Sequence, residues 1–144
     1  MTPDVNVLVA ASRSDHPHYD VAREWLEGAL AACAHGGRFT LLPMVAAGFL
    51  RVVTNPRVFA RPTPGAAALG FVRALTIVPG VELQELGAEW SMLEHLCEKY
   101  EIRGNDVSDA WIAAATRYSN EKLVTFDRGF RRFLESRELT VLKV

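Results

Sequence analysis

Aspartates in three separate stretches of the chain are the side chains best suited to chemistry. The stretches are Asp4-Val-Asn6-Val-Leu-Val, Asp106-Val-Ser-Asp109-Ala-Trp-Ile and Thr125-Phe-Asp127-Arg-Gly-Phe130. Each lies where a strand-like segment meets a helix or loop, so an α/β fold could bring all three to one edge of a sheet. Clustered carboxylates repel one another, and at neutral pH a hard divalent cation is the main way to neutralise them. The pattern therefore predicts a magnesium or manganese site.

Each aspartate taken alone also has an ordinary structural explanation. Asp106 and Asp109 share one face of a predicted helix start, where Asp106 could be the N-cap and Asp109 could face the positive end of the helix dipole. Asp127 follows an apolar strand and could simply form a turn. The metal hypothesis therefore depends on the three stretches occurring together.

The elements that must position these aspartates alternate between strand and helix. Apolar spacing predicts helices or helical turns at Val5–Ala11, His18–Ala32, Met44–Val53, Ala66–Leu75, Ala88–Tyr100, Asp106–Ser119 and Phe130–Glu135, and strands ending at Asp4 and covering Arg38–Pro43, Val81–Leu86, Lys122–Phe126 and Thr140–Val144. Strands separated by helices indicate a parallel sheet, and ligands bind beyond the carboxyl ends of such strands. We expect an α/β fold: a single domain of residues 1–144 with a central, mainly parallel sheet flanked by helices.

The composition is that of an ordinary globular protein. Apolar residues make up 49% of the chain, charged residues 23%, and the formal net charge is −1, so a nucleic-acid partner would have to meet basic residues gathered locally. No signal peptide or membrane-length apolar run is evident, which predicts a cytoplasmic protein. Cys33 and Cys97 lack CxxC spacing and are expected to be buried thiols rather than a disulfide.

The ordered set of aspartate stretches resembles the PIN domain, and most closely the VapC-type ribonuclease toxins of bacterial toxin–antitoxin modules. Asp4-Val-Asn6-Val-Leu8 matches the opening segment of that family, Asp109-Ala-Trp-Ile-Ala-Ala114 matches its late helix, and Thr125-Phe-Asp127-Arg-Gly-Phe130 matches its closing segment. The stretch from Gly48 to Phe59 resembles a subgroup of these toxins from actinobacteria.

The resemblance implies a metal-dependent endoribonuclease that cleaves structured RNA (tRNA or rRNA) and thereby inhibits translation. It implies that Asp4, Asp109 and Asp127 hold Mg²⁺ or Mn²⁺. Asn6 and Thr125 either orient a carboxylate or a metal-bound water from outside the ligand set, or serve only turn chemistry. A cognate VapB-type antitoxin is the implied partner. A homodimer is also implied, and the apolar residues Trp25, Leu26 and Leu30 could serve it, although they equally fit the core.

The chain departs from the family pattern at one position. Most active relatives carry a glutamate three residues before the arginine that is Arg51 here, whereas this chain has Gly48. Asp106, one helical turn from Asp109, could replace the lost charge. Alternatively, the domain has weakened catalysis and acts as an RNA- or protein-binding module.

Basic residues near the aspartates are the candidates for contact with RNA phosphates. One group lies around the proline-rich connection Thr54–Gly65: Arg51 precedes it, and Arg57 and Arg61 lie within it. The second group follows Asp127 and consists of Arg128, Arg131 and Arg132. Each of these arginines could instead belong to a solvated surface. His16 and His18 flank Pro17 and are expected to be loop residues or occasional phosphate donors.

Overall fold

All strand pairs in the computed structural model, which describes residues 1–144, run parallel. The strands are β1 (Thr2–Pro3), β2 (Phe39–Leu41), β3 (Val81–Leu83), β4 (Leu123–Thr125) and β5 (Leu139–Val141). They form a ribbon in the order β1-β4-β5 and a second ribbon of β2 and β3. The predicted α/β fold with a parallel sheet is thereby confirmed.

Pro3 explains why the sheet is divided into two ribbons. Thr2 and Asp4 donate their backbone N–H groups to Lys122 and Val124 of the β4 side, both at 2.9 Å. The residue between them must face β2, and as a proline it has no N–H to donate. One backbone hydrogen bond, from Thr40 N to Met1 O at 3.0 Å, joins β1 to β2. The five strands consequently lie side by side in the order β3-β2-β1-β4-β5 with a weakened seam at Pro3.

Helices fill the connections between the strands. They are α1 (Val5–Ser12), α2 (Tyr19–Cys33), α3 (Pro43–Val53), α4 (Gly65–Thr76), α5 (Trp90–Tyr100) and α6 (Asp106–Tyr118), with one turn of 3₁₀ helix at Arg128–Arg132. Helix α1 is buried almost all round, with Val7, Leu8, Ala10 and Ala11 fully shielded. Because α1 is buried on nearly all sides, its sequence is a nearly continuous apolar run without the alternation of an amphipathic helix.

The predicted strands and the first six predicted helices exist with different ends, and the last predicted helix is replaced by a 3₁₀ turn. The second strand was expected to reach Pro43, but Pro43 begins α3, where the missing N–H of proline is tolerated. The strand expected at Val81–Leu86 ends at Leu83, and the helix expected from Ala88 begins at Trp90. The helix predicted at Phe130–Glu135 is instead the 3₁₀ turn, which starts directly after Asp127.

The core is one cluster that joins the helices to both ribbons. Leu26 belongs to it, while Trp25 and Leu30 pack against it half-buried, so these three residues fit the core interpretation. Both cysteines are free thiols, and they are half-buried rather than buried as expected. No helix of the structure combines the length and apolar character needed to cross a membrane.

Candidate functional site

Asp4 lies at the carboxyl end of β1 and is almost fully buried, with 6% of its surface exposed. It is the N-cap of α1: its backbone is extended, and its Oδ1 accepts a hydrogen bond from Val5 N at 2.7 Å. Its other carboxylate oxygen, Oδ2, accepts from the Thr125 hydroxyl at 2.6 Å. The strand end and the helix cap together give this carboxylate one orientation.

Thr125 connects the ends of β1 and β4. Its hydroxyl donates to Asp4 and accepts from Asn6 Nδ2 at 3.0 Å and from Asp127 N at 2.9 Å. Asn6 Oδ1 in turn accepts from Phe126 N at 3.2 Å. We call the group Asp4, Asn6, Thr125 and Asp127 the Thr125 corner. Its side chains come from segments about 120 residues apart in sequence, and hydrogen bonds hold them together.

Asp127 is the exposed member of the Thr125 corner. It follows β4 and is the N-cap of the 3₁₀ turn, where its Oδ1 accepts from Gly129 N at 2.6 Å. Its carboxylate therefore satisfies a turn, as the ordinary explanation of this residue predicts, while it also lines the same cavity as Asp4.

Asp109 and Asp106 both lie in the first turn of α6 but differ in surroundings. Asp109 is half-buried and lines the cavity with Asp4 and Asp127. Asp106 does not line it; its carboxylate is 53% exposed and pairs with Arg132 at 3.0 Å. The suggestion that Asp106 is the N-cap is wrong, because α6 begins at Asp106 and Asn105 is the capping residue.

Electrostatic shifts show that the aspartates share one site. Burial raises the pKa of Asp4 to about 6, opposed by hydrogen bonds from Thr125 and Val5 and reinforced by the charges of Asp109 and Asp127. Burial likewise raises the pKa of Asp109, and Asp127 and Asp106 raise it further. Burial and the charges of neighbouring carboxylates therefore both disfavour ionisation of Asp4 and of Asp109.

The aspartates open into a cavity of about 1260 Å³ at the carboxyl ends of β1 and β4. No group of three or more histidine, cysteine, aspartate or glutamate side chains is drawn together closely enough to ligate one ion directly. A cation here would therefore rely on few protein carboxylates and complete its coordination with water, which is the way Mg²⁺ is commonly bound.

Gly48 lies where α3 crosses α1. A Cβ atom added at this position would lie 2.8 Å from Cγ2 of Val5, the residue that follows Asp4. The glycine therefore permits a close approach of two helices, which offsets its poor helix propensity. A glutamate at position 48 would not fit without displacing Val5, so Gly48 does more than omit a carboxylate.

Arg13 fixes one wall of the cavity, a role that was not predicted from its sequence context. Its buried guanidinium pairs with Asp15 at 2.7 Å, donates to Thr63 Oγ1 and Arg61 O at 3.1 Å, and stacks over the Phe59 ring at 3.8 Å. It thereby binds the Thr54–Gly65 connection, which carries Val58 and Phe59 into the cavity lining. No local pattern around Arg13 signals partners 50 residues away.

Trp111 lines the acidic cavity and is held by Glu89, and neither residue was predicted from the sequence. Glu89 is 4% exposed, and its carboxylate accepts from Trp111 Nε1 at 2.8 Å and from Gly87 N at 2.7 Å. Trp111 lies two residues after Asp109 and lines the cavity. Glu89 and Trp111 are 22 residues apart in sequence, so no local pattern indicates that they pair.

The candidate RNA-binding arginines are distributed over different surfaces. Arg51 lines the acidic cavity. Arg128 lines a neighbouring cavity with His18 and Phe126, whereas Arg131 lines a third one with Leu134 and Glu135. His16 and His18, expected to be loop residues, precede α2 and line the acidic cavity.

The fold and site are those of an α/β domain with an acidic cavity beyond the carboxyl ends of parallel strands. Comparison of the sequence with known families identifies the family. The family described as PIN domain matches residues 1–134. Ribonuclease VapC31 of Mycobacterium tuberculosis is 38% identical over 137 residues, which cover 94% of each chain. Ribonuclease VapC43 of the same species is 39% identical over 133 residues, which cover 90% of this chain and 87% of that protein. The chain belongs to the PIN-domain family, and its resemblance to VapC ribonucleases is confirmed.

Solved structures share the fold at lower sequence identity. The crystal structure of VapBC2 from Rickettsia felis, bound to a DNA fragment from their promoter, contains a chain with a TM-score of 0.67 and 18% identity, covering 99% of this chain and 98% of that one. FitAcB from Neisseria gonorrhoeae gives a TM-score of 0.57 at 15% identity, covering 99% and 96%. These matches identify the fold along the whole chain.

Proposed function

We propose that the protein is a metal-dependent endoribonuclease and acts as the toxin of a type II toxin–antitoxin system. The observation that carries the proposal is Asp4: a buried carboxylate, held in one orientation by Thr125, whose pKa is raised beside Asp109 and Asp127. A buried acid among other acids is unfavourable for folding and is typical of a functional site. Membership of the PIN-domain family and the similarity to proteins named ribonucleases support the same conclusion.

Asp4, Asp109 and Asp127 are the residues proposed to hold Mg²⁺ or Mn²⁺, in part through bound water, because the three side chains are not close enough to ligate one ion directly. Their oxygen atoms are the ligands that these hard cations prefer. The pKa of Asp4 is raised mainly by burial and in smaller part by the charges of Asp109 and Asp127, which a cation would neutralise. When bound, the cation would supply Lewis-acid polarisation of a phosphate and a more acidic water. The cavity leaves room for those waters beside the carboxylates.

The surrounding residues have separate proposed roles. Thr125 and Asn6 hold the Asp4 carboxylate and the Asp127 backbone in place without contacting the cation themselves. Asp106 contributes negative charge through Asp109, whose pKa it raises, and so compensates in part for Gly48. Asp106 is thus proposed to assist catalysis from outside the cavity.

The proposed substrate is structured RNA, either tRNA or rRNA, whose cleavage would inhibit translation. Arg51 is proposed to bind a phosphate within the cavity, while Arg128 and Arg131 would bind the flanking backbone. RNA is commonly read at single-stranded loops, where splayed bases can enter a cavity of this kind.

The proposed partner is a cognate VapB-type antitoxin that covers the acidic cavity. An arginine from such a partner would neutralise the carboxylates in place of the cation. We further propose that residues 1–144 act as one domain, that the protein forms a homodimer, and that it works in the cytoplasm. Sedimentation of the purified chain at micromolar concentration tests the dimer, which a monomer would contradict.

Cleavage of total bacterial RNA by the purified chain tests the proposed function. The protein is incubated with Mg²⁺, Mn²⁺ or EDTA beside the variants Asp4→Asn and Asp20→Asn, the latter changing an exposed aspartate of α2. We expect discrete cuts that require metal, persist in Asp20→Asn, and fall by at least about 100-fold in Asp4→Asn. Equal cutting by Asp4→Asn would contradict the proposal.

A binding module without catalysis is the second candidate. Gly48 occupies the position of a family carboxylate, and the acidic side chains are not drawn together as a ready ligand set. This candidate predicts RNA or protein binding by a folded chain that cuts nothing with either metal.

A further inference from the structure

Two aromatic rings stand directly beside the acidic cavity without a role in holding the carboxylates. The His18 and Phe126 rings pack with centroids 4.9 Å apart and planes inclined by 33°, and His16 packs edge-on against His18 at 5.4 Å. We call His18 and Phe126 the ring pair. Both residues line the acidic cavity and also the neighbouring cavity of about 360 Å³. The ring pair therefore forms the wall between the two cavities.

Backbone contacts hold the ring pair in place. Phe126 lies between Thr125 and Asp127, and its N–H donates to Asn6 Oδ1 at 3.2 Å. The His18 N–H donates to Nδ1 of His16 at 3.1 Å, and the His16 N–H donates to Arg13 O at 3.0 Å. Phe126 is consequently positioned by the Thr125 corner and His18 by the segment that follows Arg13, so a group stacked on the rings lies at a defined place relative to the carboxylates.

The second cavity carries unpaired positive charge. Arg128 and Lys143 line it, both are exposed, and neither forms an ion pair within the chain. Across the ring pair, the acidic cavity holds Asp4, Asp109 and Asp127. An extended ligand that spans both cavities would therefore contact the acidic residues at one end, the aromatic rings in the middle and the unpaired basic groups at the other end.

An unpaired nucleotide of RNA carries groups that match these neighbouring surfaces, because it has a flat base and charged phosphates. Bases of single-stranded RNA stack on histidine and phenylalanine rings, and their phosphates pair with arginine and lysine. We propose that the ring pair is a stacking platform for one unpaired base next to the cleaved phosphate, and that Arg128 and Lys143 bind the phosphate that follows. This inference rests on the proposed function, because it assigns RNA as the ligand of the site.

Binding of a single-stranded RNA oligonucleotide carrying one 2-aminopurine tests the platform. The full-length chain is titrated in EDTA, so that binding is measured without cleavage, and stacking is followed by quenching of the 2-aminopurine fluorescence. His18→Ala should weaken binding about tenfold and reduce the quenching, whereas His18→Phe, which retains a ring, should bind within about twofold of the unchanged chain. His35→Ala changes an exposed histidine in the turn that follows α2 and serves as the matched control.

Two further variants keep the test decisive if His18→Ala does not fold. Phe126→Leu should reduce quenching, and Arg128→Gln should weaken binding while quenching of the bound oligonucleotide persists. Unchanged RNA binding in these variants would overturn the platform and leave the rings as a contact for a protein partner. Equal loss in His18→Ala and His18→Phe would also overturn it. Failure of the proposed nuclease is seen separately, as an absence of metal-dependent cuts in the unchanged chain.

Discussion

The two sides of the acidic edge are built in different ways. The Thr125 corner is closed by hydrogen bonds between strand ends, and Asp4 within it is almost fully buried. On the side of α6, Asp109 is half-buried without a hydrogen bond to the corner, and Asp106 is exposed and paired with Arg132. Asp4 is therefore fixed by hydrogen bonds that cross between strand ends, whereas Asp109 is placed only by its position in the first turn of α6. On the proposed function, a cation would accordingly depend most on Asp4.

Thr125→Val tests the corner most severely after removal of Asp4 itself. The valine keeps the volume but removes the hydroxyl that serves Asp4, Asn6 and Asp127, so we expect RNA cleavage to fall about 10- to 100-fold. Thr76→Val, which changes an exposed hydroxyl at the end of α4, is the control. Full cleavage by Thr125→Val would mean that the corner does not organise the site.

Replacement of Asp4 by asparagine should change how the free energy of unfolding depends on pH. The pKa of Asp4 is about 6 in the folded chain and near 3.8 when unfolded, so the folded state binds the proton more tightly. The free energy of unfolding therefore falls as pH rises from about 4 to 6, by at most about 3 kcal/mol from this group. Urea unfolding in EDTA across this range should show the fall in the unchanged chain and a smaller one in Asp4→Asn. Parallel pH profiles of the two proteins would contradict the assignment.

Gly48→Ala probes the contact that brings α3 against the corner. The added Cβ meets Val5 Cγ2 at 2.8 Å, so we expect destabilisation of about 1–3 kcal/mol despite the better helix propensity of alanine. Gly70→Ala is the matched control, because Gly70 also lies within a helix and an added Cβ would have no other atom within 4 Å. That variant should be stabilised by up to about 1 kcal/mol. Urea midpoints compare the two, and equal shifts would remove the packing explanation of Gly48.

Asp106→Asn should have the smallest effect, in keeping with an exposed position on the α6 side. Loss of the ion pair with Arg132 should change the free energy of unfolding by less than about 1 kcal/mol. The affinity for Mn²⁺ should fall only a few-fold, because Asp106 acts through Asp109. Unchanged affinity would indicate that Asp106 has no role in the site, whereas complete loss of Mn²⁺ binding would indicate that Asp106 is itself a ligand.

The same contrast explains what could be predicted from sequence. Asp4 and Asn6 follow the end of β1, and Thr125 and Asp127 lie at and just beyond the end of β4. Parallel strands necessarily bring such ends to one edge. The alternation of elements similarly indicated the parallel fold. The close contact of Gly48 with Val5, the anchoring of the Phe59 wall by Arg13, and the burial of Glu89 against Trp111 depend on packing between distant segments. Short-range periodicity carries no information about such contacts, so these features emerged only from the structure.

Binding of Mn²⁺ followed by electron paramagnetic resonance, with no RNA present, tests the central claim most directly. The loss of the free-ion signal reports occupancy of the site in the unchanged chain, in Asp4→Asn and in Asp20→Asn. A cation anchored on the corner predicts a saturable site that disappears in Asp4→Asn and persists in Asp20→Asn. Binding that survives in Asp4→Asn, or no binding in the unchanged chain, would contradict a metal site at this edge.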